Sequence, residues 1–394
     1  MKLDEYQASA ARTDVSSSEE SHRHLILGLF GEAGSVLSVI KKKLRDRSSS
    51  QEYFEQATEE LGDLFWYLAT AANRSGLKLG VIAKPLRLPG IAAKKSDEMQ
   101  FSDLQRPRTL VSFGPTSHLE WVLMQLAQDV GKLIEAQRVF LKDKKKSDLR
   151  PAYTTVLRRM IDVANRVGLD LQDIAMANLK KTADRWPLNR DDGYPEPFDR
   201  RFPSYERLPK RMRIDIRQVD LKEDHYFVYQ SCKGINVGDR LTDNIESSDD
   251  YRFHDVFHYA YASVIVWSPV LRAILRLKRK GDKNIDQNQD GARAILIEEG
   301  LAALIYNEAK REGFLFADVE RGKLSFDLLK TVTSFVRGYE VENVPFWVWE
   351  EAILQGFEAF RYLVANREGR VTIDYRNRKL HIGPIPKRSA RKKT

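Results

Sequence analysis

A pattern of apolar residues at helical spacing occurs twice in the first half of the chain and constrains its fold more than any other feature. Between residues 24 and 43, apolar side chains recur at steps of three and four residues: Ile26, Leu29, Phe30, Ala33, Val36, Leu37 and Ile40. This spacing predicts an amphipathic helix. A second helical pattern covers residues 52–73, and two more cover 119–140 and 153–167. The chain is therefore predicted to form two successive helix pairs.

The ends of the two predicted pairs resemble each other. The first pair ends with Asn73-Arg-Ser-Gly-Leu-Lys-Leu79 and the second with Asn165-Arg-Val-Gly-Leu-Asp-Leu171. Upstream, Glu32-Ala-Gly is echoed more faintly by Asp129-Val-Gly. These echoes favour one helical bundle formed by duplication. Chance similarity of two amphipathic hairpins is the alternative.

Composition shifts along the chain predict its domain organisation and a mainly α fold. Residues 1–187 are predicted to be the bundle, with a first repeat at about 20–80, a basic insertion at 80–116 and a degenerate second repeat at 117–187. Residues 188–210 are rich in Pro, Arg and Asp and predict a linker. Residues 211–386 combine short strands at 213–219 and 226–230, several helical stretches and a closing hairpin, which predicts a mostly helical α+β domain.

The formal net charge of +9 comes from two short segments. The tail 387–394 contributes +5 and the segment 84–108 contributes +3, so the rest of the chain is almost neutral. These segments leave open a nucleic-acid-associated protein, with weak contact through the tail. The single cysteine, Cys232, excludes an intrachain disulfide and a cysteine cluster. We find no run apolar enough to span a bilayer and no signal peptide, and predict a cytoplasmic protein without membrane contact.

Three carboxylates in the first helix pair form the most informative constellation. Glu32 lies beside the apolar stripe, where an ionised side chain is costly unless a cation meets it. Glu60 and Asp63 are three residues apart, which places them on one face of the second helix. Carboxylates that converge in a bundle suit Mg²⁺, which binds polyphosphates. Alternatively, each acid lies on a solvated helix face, or its charge is satisfied by lysines such as Lys41 and Lys42.

Three segments of the first half together carry a family resemblance. They are Leu29-Phe-Gly-Glu-Ala-Gly-Ser35, Glu59-Glu-Leu-Gly-Asp-Leu-Phe-Trp-Tyr-Leu68 and Asn178-Leu-Lys-Lys-Thr-Ala-Asp-Arg-Trp-Pro187. They closely resemble the MazG-like, all-α nucleoside triphosphate pyrophosphohydrolases over about residues 1–187. The resemblance implies Mg²⁺-dependent cleavage of an NTP or dNTP to the monophosphate and pyrophosphate, with Mn²⁺ as an alternative metal. It also implies a homodimer or an internal pseudo-dimer of helix pairs.

The same resemblance implies roles for individual residues. Glu32, Glu60 and Asp63 would bind Mg²⁺ and take part in catalysis. Asn178, Lys181 and Arg185 would contact phosphate or close the nucleotide pocket. Lys41 and Lys42 are further candidates for nucleotide binding.

Ser35 departs from the family pattern, because the first helix of the family normally carries a second glutamate at that position. A neutral hydroxyl is a weaker Mg²⁺ ligand than a carboxylate and cannot act as a comparable base. The departure leaves open a catalytically weak nucleotide sensor with a C-terminal effector domain. In the second repeat, Ala152 and Thr155 stand where the first has Glu60 and Asp63. The second repeat is thus predicted to support the first, as another subunit would.

A pair of histidines is the most informative feature of the second half. His254 and His258 lie one predicted helical turn apart, a spacing that can bind one metal ion. Asp255 and the adjacent acids Glu298 and Glu299 could complete such a site. The alternative is a packed or capping histidine pair. The basic run 272–280 predicts a solvated helix end, and the sequence alone assigns no family to this half.

Overall fold

The computed structural model describes residues 1–14, 19–46, 50–91, 98–105, 116–143, 148–190, 193–220 and 226–386. The chain divides into two compact units, residues 1–183 and 184–394. The described residues are mainly helical with one small sheet, which confirms the predicted fold class. The helices of the first unit are α1 (Leu3–Arg12), α2 (Glu19–Asp46), α3 (Ser50–Arg74), α4 (Leu79–Ala83), α5 (Thr116–Asp143), α6 (Arg150–Val167) and α7 (Leu171–Arg185).

The first unit is a helical bundle built on the two predicted pairs. Helix α2 packs against α3, α5 packs against α6, and α2 also contacts α5. The apolar stripe of α2 buries Leu29, Ala33, Val36 and Ile40 in the shared core. Phe30 is an exception, because 55% of it remains exposed. The pattern thus predicted the helix and most of its buried face.

The echoed motifs end the second helix of each pair in the same way. Gly76 follows α3 with φ of +72° and Gly168 follows α6 with φ of +79°, a conformation that glycine adopts without strain. The amide of Leu77 then donates to the carbonyl of Ala72 at 2.9 Å, as Leu169 does to Ala164 at 2.8 Å. These are the bonds of a glycine-terminated helix end. The similarity of the two motifs therefore reflects a shared helix-stop geometry.

The described part of the predicted basic insertion contributes residues to the bundle core. Helix α4 lies within it, and Met99, Phe101 and Leu104 are buried. The carbonyl of Met99 accepts a hydrogen bond from the amide of Leu3 at 3.0 Å. Residues 92–97 and 106–115 of the predicted insertion lie outside the described residues.

One stretch of α2 has the length and apolar composition of a membrane span. It covers residues 23–45, which corrects the prediction that the chain has no run apolar enough to span a bilayer. In the bundle this stretch contributes Leu25, Leu29 and Val36 to the core. Core helices of globular proteins can have this composition, but only 33% of the apolar window is buried in the bundle.

The second unit contains six helices and five strands among its described residues. The helices are α8 (Asp255–Val264), α9 (Pro269–Ile274), α10 (Lys283–Asn288), α11 (Ala292–Glu312), α12 (Phe326–Phe335) and α13 (Phe346–Asn366). The strands are β1 (Arg211–Asp220), β2 (Tyr226–Cys232), β3 (Ile235–Asn236), β4 (Glu368–Asp374) and β5 (Lys379–Gly383).

The strands form one antiparallel sheet in the order β3-β2-β1-β4-β5. Strands β1 and β4 pair at its centre, with Ile214 opposite Val371. Helices α8 and α13 pack against each other and against β4 and β5. Aromatic residues of α13, including Trp349 and Phe360, are buried in this core. The histidine-bearing helix α8 is thereby held against both the sheet and α13.

The predicted linker and the basic run 272–280 are both partly buried in the second unit. In the linker, Phe202 and Leu208 are buried, and Asp199 accepts a hydrogen bond from Arg272 at 2.6 Å. Arg279 donates to Asp290 at 2.7 Å, and all four charged residues are at most 1% exposed. The prediction of a solvated helix end is therefore wrong for Arg272 and Arg279.

Candidate functional site

The structure brings Glu32, Glu60 and Asp63 together in the first unit. One carboxylate oxygen from each lies within 4.8 Å of the others, and all three side chains are partly buried. Helix α2 supplies Glu32, and the three-residue spacing on α3 directs Glu60 and Asp63 to the same side. We refer to these three residues as the acidic cluster. Its donor set consists of carboxylate oxygens, which hard divalent cations prefer.

The electrostatics of the acidic cluster favour an added cation. Burial and then the negative charges of Asp63 and Glu60 raise the pKa of Glu32 to about 7, although Lys181 opposes the shift. A raised carboxylate pKa means that the ionised form is poorly stabilised in the metal-free protein. A divalent cation among the three groups would remove this repulsion.

Close packing of α2 on α3 depends on a glycine next to the acidic cluster. A Cβ atom at Gly28 would lie 2.1 Å from the ring of Tyr67 on α3. Gly28 is one turn before Glu32, so this contact holds the two acidic helices together where the cluster forms. The sequence analysis assigns no role to Gly28 or Tyr67, although Tyr67 lies in a family-like segment and Gly28 directly precedes one.

Helix α7 adds an amide and an ammonium group to the acidic cluster. The Nδ2 of Asn178 donates to Oδ1 of Asp63 at 3.0 Å. The Nζ of Lys181 lies 2.5 Å from Oδ2 of Asp63 and 3.2 Å from Oε1 of Glu59. The structure thus places two of the predicted phosphate-binding residues directly at the cluster.

Two further residues position Asn178. The buried hydroxyl of Tyr6 donates to its Oδ1 at 3.1 Å, which orients the amide so that Nδ2 faces Asp63. A Cβ atom at Gly62 would lie 3.0 Å from the Cβ of Asn178, a tight contact, so glycine at this position favours the close approach of α7 to α3. Gly62 lies between Glu60 and Asp63 in the sequence, which was the available signal for its role.

A pocket of about 390 Å³ opens beside the acidic cluster. Its walls come from α3 and α7 and consist of Phe54, Glu55, Thr58, Glu59, Ala177, Asn178 and Lys181. This volume lies in the range of small-molecule sites in proteins. Asn178 and Lys181 therefore contact Asp63 and also line the pocket.

The predicted histidine site also comes together, within the second unit. Ligand atoms of His254, His258 and Glu299 lie within 4.8 Å of one another. Glu298 instead accepts hydrogen bonds from Nδ1 of His258 at 2.9 Å and from the Ser268 hydroxyl at 2.7 Å. Burial acts to raise the pKa of Glu299, but its bonds and charges with the two histidines outweigh this and lower it.

Asp255, the remaining acid of the predicted histidine site, contacts one of the two histidines. Its Oδ1 lies 3.4 Å from Nε2 of His254. Its other oxygen accepts a hydrogen bond from the buried amide of Gln230 on β2. Asp255 is therefore anchored to the sheet at the edge of the histidine site.

Comparison with known proteins identifies the family of the chain. The family model of the MazG C-terminal domain matches residues 193–386. The Gene 37 protein of Mycobacterium phage L5 is 34% identical over 92 residues, which cover 21% of this chain and 81% of the phage protein. The chain belongs to the MazG-like family. No solved structure matches it significantly. The MazG C-terminal match falls on the half to which the sequence alone assigned no family.

Arg185 of this MazG-like protein corrects one of the predicted phosphate contacts. Arg185 is the last residue of α7 and belongs to the second unit, where its guanidinium lies 3.0 Å from Oε2 of Glu350 and donates to the carbonyl of Leu324 at 2.7 Å. Both charged side chains are at most 2% exposed. Arg185 is therefore part of a buried ion pair and is not directed at a phosphate.

Of the candidate residues on α2, Lys41 and Lys42 lie far from the acidic cluster, whereas Ser35 lies close to it. Lys41 and Lys42 are exposed and lie about 14 Å or more along the helix from Glu32. They do not belong to the acidic cluster itself. Ser35 is partly buried one turn after Glu32, where a longer acidic side chain would reach the cluster.

The second helix pair of the MazG-like bundle carries a salt bridge at the echoed position. Asp129, the counterpart of Glu32, accepts a hydrogen bond from Nε of Arg159 at 2.8 Å. Lys132 lies 3.6 Å from its other oxygen, and the Thr155 hydroxyl donates to the backbone carbonyl of Pro151 at 2.9 Å. A cation from the protein itself therefore neutralises the acid of the second pair.

Proposed function

We propose that this MazG-like protein is an Mg²⁺-dependent pyrophosphohydrolase that cleaves an NTP or dNTP to the monophosphate and pyrophosphate. Membership of the family supports a nucleotide pyrophosphohydrolase, while the metal and the substrate class are our proposal. The observation that carries it is the convergence of Glu32, Glu60 and Asp63 within 4.8 Å, beside a pocket that shares Asn178 and Lys181 with the cluster.

The residues of the acidic cluster fit Mg²⁺. They offer three carboxylate oxygens, and Mg²⁺ is usually held by a few carboxylates while water and phosphate complete its coordination. Mn²⁺ accepts the same oxygen donors and is a second metal for the site. When bound, Mg²⁺ supplies the positive charge that a triphosphate requires and activates the attacking water.

The protein's own groups have separate tasks in this proposal. Lys181 and Asn178 carry N–H donors at the boundary between the cluster and the pocket, where they would bind the phosphates. Glu32 and Glu60 are the two candidate acceptors for the proton of the attacking water. The ring of Phe54 in the pocket wall offers an aromatic surface to the base.

The test is hydrolysis by the purified full-length protein with a panel of NTPs and dNTPs. We expect pyrophosphate and nucleoside monophosphate in equal amounts, only with Mg²⁺ or Mn²⁺ present. Glu60→Gln and Asp63→Asn should each lower the rate of pyrophosphate release by more than about 100-fold. Loss of a residue that only hydrogen-bonds to a metal ligand typically costs about 10- to 100-fold, so a larger effect indicates a ligand. Glu120→Gln, at an exposed acid on α5, is the matched control and should keep the wild-type rate.

Ser35 favours a second candidate function, a nucleotide sensor that binds without turnover. In that case an NTP with Mg²⁺ would raise the melting temperature in a manner that depends on Glu60, but no pyrophosphate would appear. If Glu60→Gln and Asp63→Asn both keep the wild-type hydrolysis rate, or both keep the NTP-dependent rise in melting temperature, the acidic cluster is not the site of either function.

Two proposals about partners rest on the sequence and need separate measurements. Residues 387–394 lie outside the described residues. If this tail binds nucleic acid, its deletion should abolish salt-sensitive binding of DNA or RNA. Sedimentation will show whether the bundle acts as an internal pseudo-dimer or as a homodimer, since the first would leave the protein monomeric.

A further inference from the structure

We propose that the second unit binds one divalent transition-metal ion, represented by Zn²⁺, through His254, His258 and Glu299. This site is separate from the acidic cluster and does not depend on the pyrophosphohydrolase activity. Three observations support the proposal: the orientation of the two histidine rings, the distances between the ligand atoms, and the burial of Nε2 of His258.

The hydrogen bonds of the two histidines direct their Nε2 atoms to one point. The Nδ1 of His254 lies 2.9 Å from the carbonyl oxygen of Tyr251, which can only accept, so this nitrogen carries the proton. The Nδ1 of His258 lies 2.9 Å from Oε1 of Glu298. Metal-binding histidines show this arrangement, in which one ring nitrogen donates outward and the other keeps its lone pair for the metal.

Glu298 is fixed as the positioning group for His258. Its Oε1 accepts from the Ser268 hydroxyl at 2.7 Å, and its Oε2 accepts from the amide of Val270 at 2.7 Å. The carboxylate is fully buried, and its partners lie at the start of α9. Both carboxylate oxygens of Glu298 are therefore used in hydrogen bonds, and Glu298 orients the ring of His258 without binding the metal. This assignment differs from the sequence prediction, which counted Glu298 among the ligands.

The distances among the remaining groups are those of ligands around one small ion. Oε2 of Glu299 lies 3.4 Å from Nε2 of His258 and 3.6 Å from Nε2 of His254. Tetrahedral zinc with bonds of about 2.0–2.1 Å separates its ligands by about 3.3–3.4 Å. Direct N–H···O hydrogen bonds are shorter, at about 2.9–3.0 Å. The three atoms are thus spaced more like metal ligands than like hydrogen-bonded partners.

The Nε2 of His258 supplies a second, independent observation. This atom is fully buried, and within the part of the chain that the structure describes no group meets it with hydrogen-bond geometry, although Oε2 of Glu299 lies 3.4 Å away. Buried polar atoms are normally satisfied by protein, water or an ion. A metal ion bound by the nearby Glu299 and His254 would satisfy it.

The donor set identifies the class of metal. Two imidazoles and one carboxylate suit zinc and similar transition metals, whereas Mg²⁺ prefers oxygen ligands alone. Three protein ligands leave a fourth position for water or another small ligand, as in reactive zinc sites. The side chain of Glu299 is 39% exposed, so the site is reachable from solvent.

The experiment measures metal binding by the full-length protein without any activity assay. Metal content is determined by mass spectrometry on the purified protein, the metal is removed with a chelator, and Zn²⁺ is titrated by calorimetry. Cobalt substitution then reports coordination through its visible absorption. We expect one Zn²⁺ per chain and a raised melting temperature on binding.

The variants separate a metal site from a histidine–glutamate ion pair. Glu299→Gln and His254→Ala should lower the Zn²⁺ affinity by at least about tenfold. Glu312→Gln, at an exposed acid on the same helix, and His381→Ala, at an exposed histidine on β5, are the matched controls and should bind as the wild type does. Glu32→Gln should also leave Zn²⁺ binding unchanged, because it alters only the acidic cluster.

His258→Ala is not the decisive variant, because it removes a fully buried ring and could prevent folding. Glu299→Gln keeps the size of a partly exposed side chain and remains interpretable when its far-UV circular dichroism matches the wild type. The proposal is overturned if the wild type binds no Zn²⁺, or if Glu299→Gln and His254→Ala bind it as tightly as the controls do.

Discussion

Asn178 on α7 donates a hydrogen bond from Nδ2 to Oδ1 of Asp63 on α3 at 3.0 Å, although 115 residues separate them in the sequence. Through this bond the last helix of the first unit contacts an acid of the first helix pair. Lys181, one turn later on α7, contacts the same carboxylate. The candidate site therefore needs α7 as well as the helices that carry its acids.

The first prediction concerns the amide of Asn178. In Asn178→Ala, Asp63 loses a donor and the buried Tyr6 hydroxyl loses its acceptor, so the free energy of unfolding should fall by about 1–3 kcal/mol. Pyrophosphate release should fall as well. Tyr6→Phe is the control, because it removes the same hydroxyl contact but leaves the bond between Asn178 and Asp63. An equal loss of activity in both variants would contradict a direct role for Asn178.

Gly62 gives a second prediction, on helix spacing. A methyl group at this position meets the Cβ of Asn178 at 3.0 Å, so Gly62→Ala should displace α7 and lower activity at saturating Mg²⁺. In Gly34→Ala on α2 the added atom meets no heavy atom within 4 Å among the described residues. That control should keep activity and gain up to about 1 kcal/mol of stability from helix propensity. Chemical denaturation and steady-state hydrolysis measure the two effects, and unchanged hydrolysis in Gly62→Ala would refute the prediction.

Ser35 allows a gain-of-function prediction. Ser35→Glu places a fourth carboxylate one turn from Glu32, and we expect pyrophosphate release with Mg²⁺ to rise by at least about tenfold. Without metal the added negative charge should lower the melting temperature, and Mg²⁺ should reverse this change. Ser38→Glu, one turn further along α2, serves as the control. A Ser35→Glu protein that folds but is no faster would indicate that the missing glutamate does not limit the rate.

A fourth prediction concerns pH. The pKa of Glu32 is about 7 in the folded, metal-free protein but 4.5 in an unperturbed glutamate. As the pH rises through this interval, the unfolded chain releases the proton first, so the stability of the metal-free protein should fall. Mg²⁺ binds the ionised carboxylate, so its stabilising effect should grow over the same interval. Melting curves with a chelator and with Mg²⁺ test this, and Glu32→Gln should show a weaker pH dependence than the wild type.

The buried charges of the second unit lead to a fifth prediction. Asp290→Asn weakens the contacts to Arg279 in a fully buried site and should cost about 3–5 kcal/mol in the free energy of unfolding. Glu196→Gln removes the exposed partner of Arg200 and should cost less than about 1 kcal/mol. Urea unfolding of both variants measures the difference. If the two variants lose a similar amount of free energy of unfolding, the buried ion pair of Asp290 contributes no more to stability than the exposed pair of Glu196.

Features encoded by neighbouring residues could be predicted from the sequence. Apolar periodicity predicted α2, α3, α5 and α6, and the shared motifs marked the helix ends at Gly76 and Gly168. Their spacing and the family resemblance indicated Glu32, Glu60 and Asp63 as candidate metal ligands, and the structure places these three residues together. In these cases the signal lies within a few turns of one helix or in a short motif.

Features that depend on distant segments could not be predicted in this way. The pairing of Ile214 with Val371 joins strands more than 150 residues apart, and neither strand alone indicates its partner. Arg185 is predicted to contact phosphate and Arg272 to lie at a solvated helix end, but in the structure both are buried in ion pairs, with Glu350 and Asp199 respectively. Tyr6 acts through Asn178, a contact that exists only once α1 and α7 have packed.

The position of α7 at the end of the first unit also has a consequence for biosynthesis. In a nascent chain, Lys181 is added 118 residues after Asp63, the last of the three acids. Polypeptides released early by the ribosome would thus carry the acids without the lysine and amide that contact Asp63. Such fragments would lack two of the groups through which we propose that the protein binds phosphate.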